Sequence, residues 1–188
     1  ALSSAASDVY KRQNKNNVTL RGCGVSTVLK RMWNSSVEQG VVTISSSYYS
    51  CIKDFRIDGN KANYTDEHYN LGGYIANSNY IKVVNIISEN NSKYGFELYN
   101  CNNNTITRNI CNNNNSYGIY LANNSNNNTI TGNTCNNNNS YGIYLSSSSN
   151  NNTITGNTCI RGTGLASDYT STQYTIRLAG NNNDYNLI

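Results

Sequence analysis

Along this chain, short segments of alternating apolar and polar residues are separated by runs of Asn, Ser and Gly, and the segments return at a fixed interval. Thr129-Ile130-Thr131-Gly132-Asn133-Thr134-Cys135 recurs unchanged at Thr153 to Cys159, a period of 24 residues, with a degenerate copy at Thr105 to Cys111. Between these copies, Ser116-Tyr117-Gly118-Ile119-Tyr120-Leu121 recurs at Ser140 to Leu145. Tyr94-Gly95-Phe96-Glu97-Leu98 and Gly72-Gly73-Tyr74-Ile75 are fainter copies upstream. A second template, Ile-x-x-(apolar or Asn)-x-(apolar or Cys), fits Ile52/Phe55/Ile57, Ile81/Val84/Ile86, Ile106/Asn109/Cys111, Ile130/Asn133/Cys135 and Ile154/Asn157/Cys159, at spacings of 29, 25, 24 and 24. Alternation over so few residues predicts β-strands, and the polar runs predict turns.

Strands this short cannot bury a face alone. Stacking each unit on the next, about 4.8 Å apart, pairs every strand with its own copy and builds a continuous core. The expected fold is therefore all-β, a right-handed single-stranded parallel β-helix of roughly six rungs of about 24 residues, incomplete at both ends. Leucine-rich repeats are excluded by the missing Leu-x-x-Leu-x-Leu signature, and propeller blades need about 40 residues or more. In the stack, Ile119/Ile143 and Leu121/Leu145 become interior columns, and Asn109, Asn133 and Asn157 fall where one side-chain amide can hydrogen-bond the next. The earlier stretch is less regular: Val18 to Gly24, Val25 to Leu29 and Val41 to Ile44 read as strands around a Gly turn.

Composition then removes some alternatives. The chain has 188 residues, no Pro and only 13% charged residues, and Tyr supplies 16 of its aromatics beside two Phe and one Trp. Low charge and abundant Asn could describe a disordered chain, but the fixed spacing of β-branched and aromatic segments argues for packing. The net charge of +4 is diffuse, with no Lys/Arg run, which gives nucleic-acid binding little support. No apolar stretch reaches the length of a membrane span. Ser3 to Gln13, SSAASDVYKRQ, resembles the in-frame translation of a common transposon sequencing adapter at all eleven positions. Residues 1–13 are accordingly read as an adapter-derived scar and residues 14–188 as the β-helix fragment, with any signal region expected upstream of it.

Two stretches carry a resemblance to known families. Asn16-Asn17-Val18-Thr19-Leu20-Arg21-Gly22-Cys23-Gly24, leading to Ile52-Lys53-Asp54-Phe55-Arg56-Ile57-Asp58-Gly59-Asn60, resembles the opening rungs of pectate-lyase-like and phage tailspike β-helices. Asn-Asn-Ser-Tyr-Gly-Ile-Tyr-Leu and Asn-Asn-Thr-Ile-Thr-Gly-Asn-Thr resemble the repeats of NosD-type and surface β-helix proteins. The resemblance covers about Asn16 to Cys159. In pectinases it implies Asp clusters that bind Ca²⁺ with an Arg base, or paired Asp acids with a Gly-His-Gly element. None of the corresponding Asn-Thr-Asp, Asp-Asp, Gly-His-Gly or Arg-Ile-Lys motifs is present, so no active site carries over, and the motifs specify rungs rather than chemistry.

The candidate chemistry rests on a column. Aligned Gly-x-x-Leu strands stack the outward residues Tyr74, Glu97, Tyr120 and Tyr144, with Arg177 next, over about 19 Å. Insertions at Asn60 to Asn70 and Ile160 to Thr172 flank it. A tyrosine floor between loop walls suits an extended glycan, through ring faces on sugars and hydroxyl hydrogen bonds; Tyr also simply favours exposed strand positions. Tyr74, Tyr120, Tyr144 and Arg177 are the expected substrate-binding residues. Glu97, the one carboxylate of the column, is the expected acid, base or cation ligand. Asp66, Glu67 and His68, on the first insertion, could join it if that loop folds over, and would be the place for Ca²⁺, although a solvated polar loop explains them equally well. No other cofactor is evident. Six Cys lack zinc spacing, and Cys111, Cys135 and Cys159 form a column whose parallel side chains suit a disulfide badly. They read as small buried apolar residues. Asp54, Arg56 and Asp58 read as outward residues of surface ion pairs. The function expected is a secreted or cell-surface β-helix that engages polysaccharide along an exposed strand face and, if catalytic, is a fragment of a polysaccharide lyase or glycoside hydrolase. The rivals are a non-catalytic surface stalk and a NosD-type periplasmic maturation protein.

Overall fold

A computed structural model describes residues 15–66, 68–160, 175–180 and 183–188, together with the backbone of residues 10–13 and 174. Every pairing between its strands is parallel, and two sheets run along the solenoid. Sheet A takes β1 (Tyr10–Gln13), β4 (Gln39–Ser45), β6 (Asn70–Ala76), β8 (Phe96–Tyr99), β10 (Tyr117–Ala122), β12 (Tyr141–Ser146) and β14 (Tyr174–Ala179), in that spatial order. Sheet B runs β13 (Thr153–Thr155), β11 (Thr129–Thr131), β9 (Thr105–Thr107), β7 (Lys82–Glu89), β5 (Cys51–Asp58) and β2 (Thr19–Arg21), with β3 (Val28–Lys30) also on β5. The chain alternates between the sheets rung by rung. Among the described residues no helix is long and apolar enough to cross a membrane.

The 24-residue copies pair in register: Ile119 with Ile143 and Leu121 with Leu145 on sheet A, Ile130 with Ile154 on sheet B. These columns, with Phe96, Leu98, Cys111 and Cys135, are fully buried between the faces. The narrow interior explains the Gly of Tyr-Gly-Ile-Tyr. A Cβ on Gly118 would lie 2.6 Å from the Gly142 carbonyl oxygen and 3.0 Å from Cys135 Cβ, so only Gly lets sheet A approach the opposite wall.

Asparagine has two distinct tasks. Outside, it turns corners: Asn77, Asn100 and Asn123 follow successive sheet A strands, and Asn103, Asn127 and Asn151 precede successive sheet B strands, all at φ between 50° and 58°. Asn tolerates this left-handed conformation better than other side chains. Inside, it stitches rungs. Asn109 Nδ2 donates to Asn133 Oδ1 at 3.0 Å and Asn133 Nδ2 to Asn157 Oδ1 at 2.9 Å. A second run joins Asn104, Asn128, Asn152 and Asn186, and a third joins Asn91, Asn114 and Asn138. Each amide has two donors and an acceptor, so one side chain serves the rung above and the rung below.

The register departs from the sequence template at one rung. Ile52 pairs with Val83 rather than Ile81, and Phe55 with Ile86. The reason is the left-handed bend inside each sheet B rung. Asp54 and Asn85, at φ of 62° and 54°, sit opposite one another, which spaces the inward residues i, i+3, i+5 and makes Val83/Ile86/Ser88 the true copy. Tyr10–Gln13, within the stretch expected to form no rung, pairs with β4 from Tyr10↔Val42 to Gln13↔Ser45. A strand geometry there is independent of whether those residues are native. The insertion at residues 60–70 is pinned by Arg31, which is fully buried and pairs with no carboxylate among the described residues. Its guanidinium donates to Asn70 Oδ1 and to the carbonyls of Gln39 and Leu71, and lies 4.7 Å from the Trp33 ring centre. Burial lowers its pKa to about 10. All six cysteines are free thiols; Cys101, Cys111 and Cys135 are buried and Cys23 is exposed. Asp54 pairs with Arg21 at 3.1 Å and Asp58 with Lys30 at 3.5 Å, while Arg56 meets Glu89.

Candidate functional site

The outward column on sheet A is continuous in register: Thr43, Tyr74, Glu97, Tyr120, Tyr144, Arg177. Alternation produces it, because Phe96/Leu98, Ile119/Leu121 and Ile143/Leu145 point inward and leave the residue between them on the outer face. A second column runs beside it. Tyr94 stacks on Tyr117 with ring centres 4.7 Å apart and planes 7° apart, and Tyr117 stacks on Tyr141 at 4.9 Å and 15°. Tyr120 stacks on Tyr144 at 5.1 Å and 6°. The two columns meet edge to face, Tyr117 to Tyr120 at 64° and Tyr117 to Tyr144 at 64°. The sequence reading missed the second column, although the Ser-Tyr-Gly repeat carried its signal.

This herringbone changes what the face can present. The rings turn their faces to one another, not outward, so the surface offered to solvent is ring edges and phenol oxygens. The expectation of sugar rings lying on exposed tyrosine faces therefore does not fit the described stack. Cations close the stack at both ends. Lys93 Nζ lies 4.8 Å from the Tyr94 ring centre, and Arg177 Cζ lies 5.0 Å and 5.7 Å from those of Tyr141 and Tyr144. Arg177 also donates to the Tyr141 hydroxyl. Tyr120 shares a 2.8 Å hydrogen bond with Ser146 Oγ. Burial pushes the Tyr120 phenol up to about 12 and raises those of Tyr74 and Tyr94 as well, so the hydroxyls remain protonated donors at neutral pH.

Glu97 occupies the place of one ring in the column, between Tyr74 and Tyr120. It is only 2% exposed, and its Oε2 has no hydrogen-bond partner among the described residues. Burial first, and the charge of Glu38 second, raise its pKa to about 8, while Lys93 opposes them. Glu38 and Lys93 form an ion pair beside it. The arrangement can hold a proton on Glu97 at neutral pH and release it toward anything that displaces the ring cover. Neither Glu38 nor Lys93 was singled out by sequence: Glu38 lies in the irregular early stretch, and Lys93 stands where the repeat has Ser116 and Ser140.

In the first insertion, Asp66 and His68 contact each other. Asp66 Oδ1 accepts from the His68 backbone N–H at 2.8 Å and lies 3.6 Å from His68 Nδ1, and the His68 side chain is 84% exposed. The loop instead folds onto the corner before β8, where Ser92 Oγ donates to the Tyr64 carbonyl. The structure thus pairs Asp66 and His68 with each other, and the charged groups acting on Glu97 are Glu38 and Lys93. Glu67 and residues 161–172 of the second insertion lie outside the described residues. Among the described residues no three His, Cys, Asp or Glu side chains gather as a cation site.

The family model described as the right-handed β-helix region matches residues 4–159. The chain belongs to that family. No curated protein matches it. Among solved structures, the A-module of the mannuronan C-5 epimerase AlgE6 of Azotobacter vinelandii is similar at a TM-score of 0.59 and 21% identity, over 92% of this chain and 49% of that one. The periplasmic alginate epimerase AlgG, in a mutant form, is similar at a TM-score of 0.41 and 16% identity, over 78% and 45% of the two chains. The chain spans about half the length of either structure. The likeness to the AlgE6 module shows the fold.

Proposed function

We propose that this β-helix engages a polysaccharide along the outer face of sheet A, as a secreted or cell-surface protein, and that Glu97 is the acid of that site. The observation that carries the reading is a buried carboxyl group set inside a double row of tyrosine hydroxyls. A glycan chain lying along the solenoid axis would meet donors and acceptors repeating at about 4.8 Å, from Tyr74 through Tyr120 and Tyr144 to Arg177. The similar AlgE6 module belongs to a mannuronan C-5 epimerase, and mannuronan is a polysaccharide, which agrees with a glycan ligand. Catalysis as a lyase or hydrolase would use Glu97 as proton donor once substrate has displaced its cover. A non-catalytic stalk is the second reading, favoured by the unbroken internal amide runs, which serve rigidity alone.

Isothermal titration against acidic and neutral oligosaccharides tests it. Wild type should bind, and Tyr120→Ala and Tyr144→Ala should each bind at least tenfold more weakly, on the order of one lost hydrogen bond with its stacking. Equal binding by both variants, or none by wild type, leaves the stalk. If wild type turns substrate over, Glu97→Gln should abolish turnover while binding persists; an unchanged rate removes Glu97 from the reaction.

A further inference from the structure

Sheet B carries a different surface, independent of the tyrosine face. Thr-Ile-Thr occurs on three consecutive rungs, and β9, β11 and β13 pair in register at all three positions. Ile106, Ile130 and Ile154 point inward and are buried. Thr105, Thr129, Thr153 and Thr107, Thr131, Thr155 therefore form a two-by-three grid on the outer face, about 4.8 Å between rungs and about 6.6 Å along each strand. Every point of the grid is a hydroxyl beside a methyl group, and none is charged. The grid begins after Lys82 and Val84 of β7 and ends at the bridge from Thr153 to Leu187. Along its border the left-handed bend passes from Arg108 to Gly132 and Gly156; the Arg108 side chain reaches toward the Gly132 position, its Cγ 3.9 Å from where a Cβ there would lie, and the Gly156 rung adds no side chain of its own.

The grid is also supported from beneath by the internal amide runs. Each Thr-Ile-Thr triplet lies between two members of the internal amide runs, Asn104/Asn128/Asn152 just before it and Asn109/Asn133/Asn157 just after. These side chains join neighbouring rungs at 2.9–3.1 Å on both sides of the triplets. Strand spacing and register are thus held from within by the amide runs. Thr131 and Thr155 Oγ1 lie 3.5 Å apart, aligned along the rung direction.

An in-register, uncharged, two-dimensional array of hydroxyl and methyl groups offers no charge for an ionic polymer. Its complement is a lattice that is itself neutral, repeats in two dimensions, and accepts and donates hydrogen bonds at every point. We infer that the Thr grid of sheet B binds the surface of ice, the hydroxyls entering the water lattice and the methyl groups ordering the water between them. Preorganisation is what makes so weak a contact effective, because paired strand backbone and short β-branched side chains have little freedom to lose on binding.

The test is to grow a single ice crystal slowly from a dilute solution of the fluorescently labelled full chain. The protein should be overgrown into the ice, and the crystal should become faceted. Thr131→Lys, at the centre of the grid, should be excluded from the ice while retaining the circular dichroism spectrum and melting temperature of wild type. If that variant fails to fold, Thr155→Lys, at the most exposed corner of the grid, carries the same expectation. Tyr120→Ala, on the other sheet, should still be overgrown, which separates this site from the glycan site. Exclusion of wild type, overgrowth of a folded Thr→Lys variant, or pelleting with crystalline cellulose in place of ice would each overturn the inference.

Discussion

Asn133 sits in the middle of an internal amide run, and replacing it by Leu tests how the interior is held. Asn133 is 1% exposed. Its Oδ1 accepts from both the backbone N–H and the Nδ2 of Asn109, each at 3.0 Å, and its Nδ2 donates to Ile106 O and Asn157 Oδ1 at 2.9 Å. Leu keeps the volume and removes all four bonds. Two buried donors of Asn109 lose their acceptor, at about 1–3 kcal/mol each. Asn157 Oδ1 keeps the bond from the Asn133 backbone N–H, so the gross cost is about 2–6 kcal/mol. The added apolar burial returns about 1–2 kcal/mol. A net loss of about 1–4 kcal/mol should be visible as a lower urea midpoint in circular dichroism, against a typical total stability of 5–15 kcal/mol for a domain. Asn157→Leu, at the half-buried end of the run, should cost less, because water can reach the group left behind. An Asn133→Leu protein as stable as wild type would refute the account, since it would mean the amides fill space and nothing more.

The pH dependence of stability should fall on Glu97. Its folded pKa, about 8, lies above that of an unfolded Glu, so between about pH 4 and pH 8 the native state binds more protons than the unfolded state and stability falls as pH rises. Glu97→Gln should flatten urea midpoints across that window, and a slope identical to wild type would place the proton elsewhere. Gly118→Ala should destabilise by about 1–3 kcal/mol through overpacking, and more than Gly132→Ala, which meets nothing closer than 3.9 Å and bears only the strain of φ +64°; equal thermal midpoints would contradict the packing explanation. Residues 1–13 are proposed to be the adapter-derived scar, so their deletion should leave the midpoint unchanged, whereas a drop would make β1 a structural rung.

What could be read directly was whatever the period repeats. A residue and its copy 24 positions later are neighbours along the solenoid, so the sequence alone placed Ile119 beside Ile143, Asn109 beside Asn133, and Tyr120 beside Tyr144. It also located Glu97 in the tyrosine column. The one misplaced rung, Ile81 for Val83, lies after the insertion, where the spacing is no longer 24 and only the backbone bend at Asn85 sets the register. Tertiary structure alone decided the rest. Ring orientation depends on packing between columns, which turned the tyrosine faces inward to each other. Glu38 and Lys93 come to Glu97 from segments 55 residues apart, and Arg31 reaches Asn70 across 39. No periodicity encodes those approaches, because they are made at corners and insertions, where the chain leaves the repeat and its path is set by what it packs against.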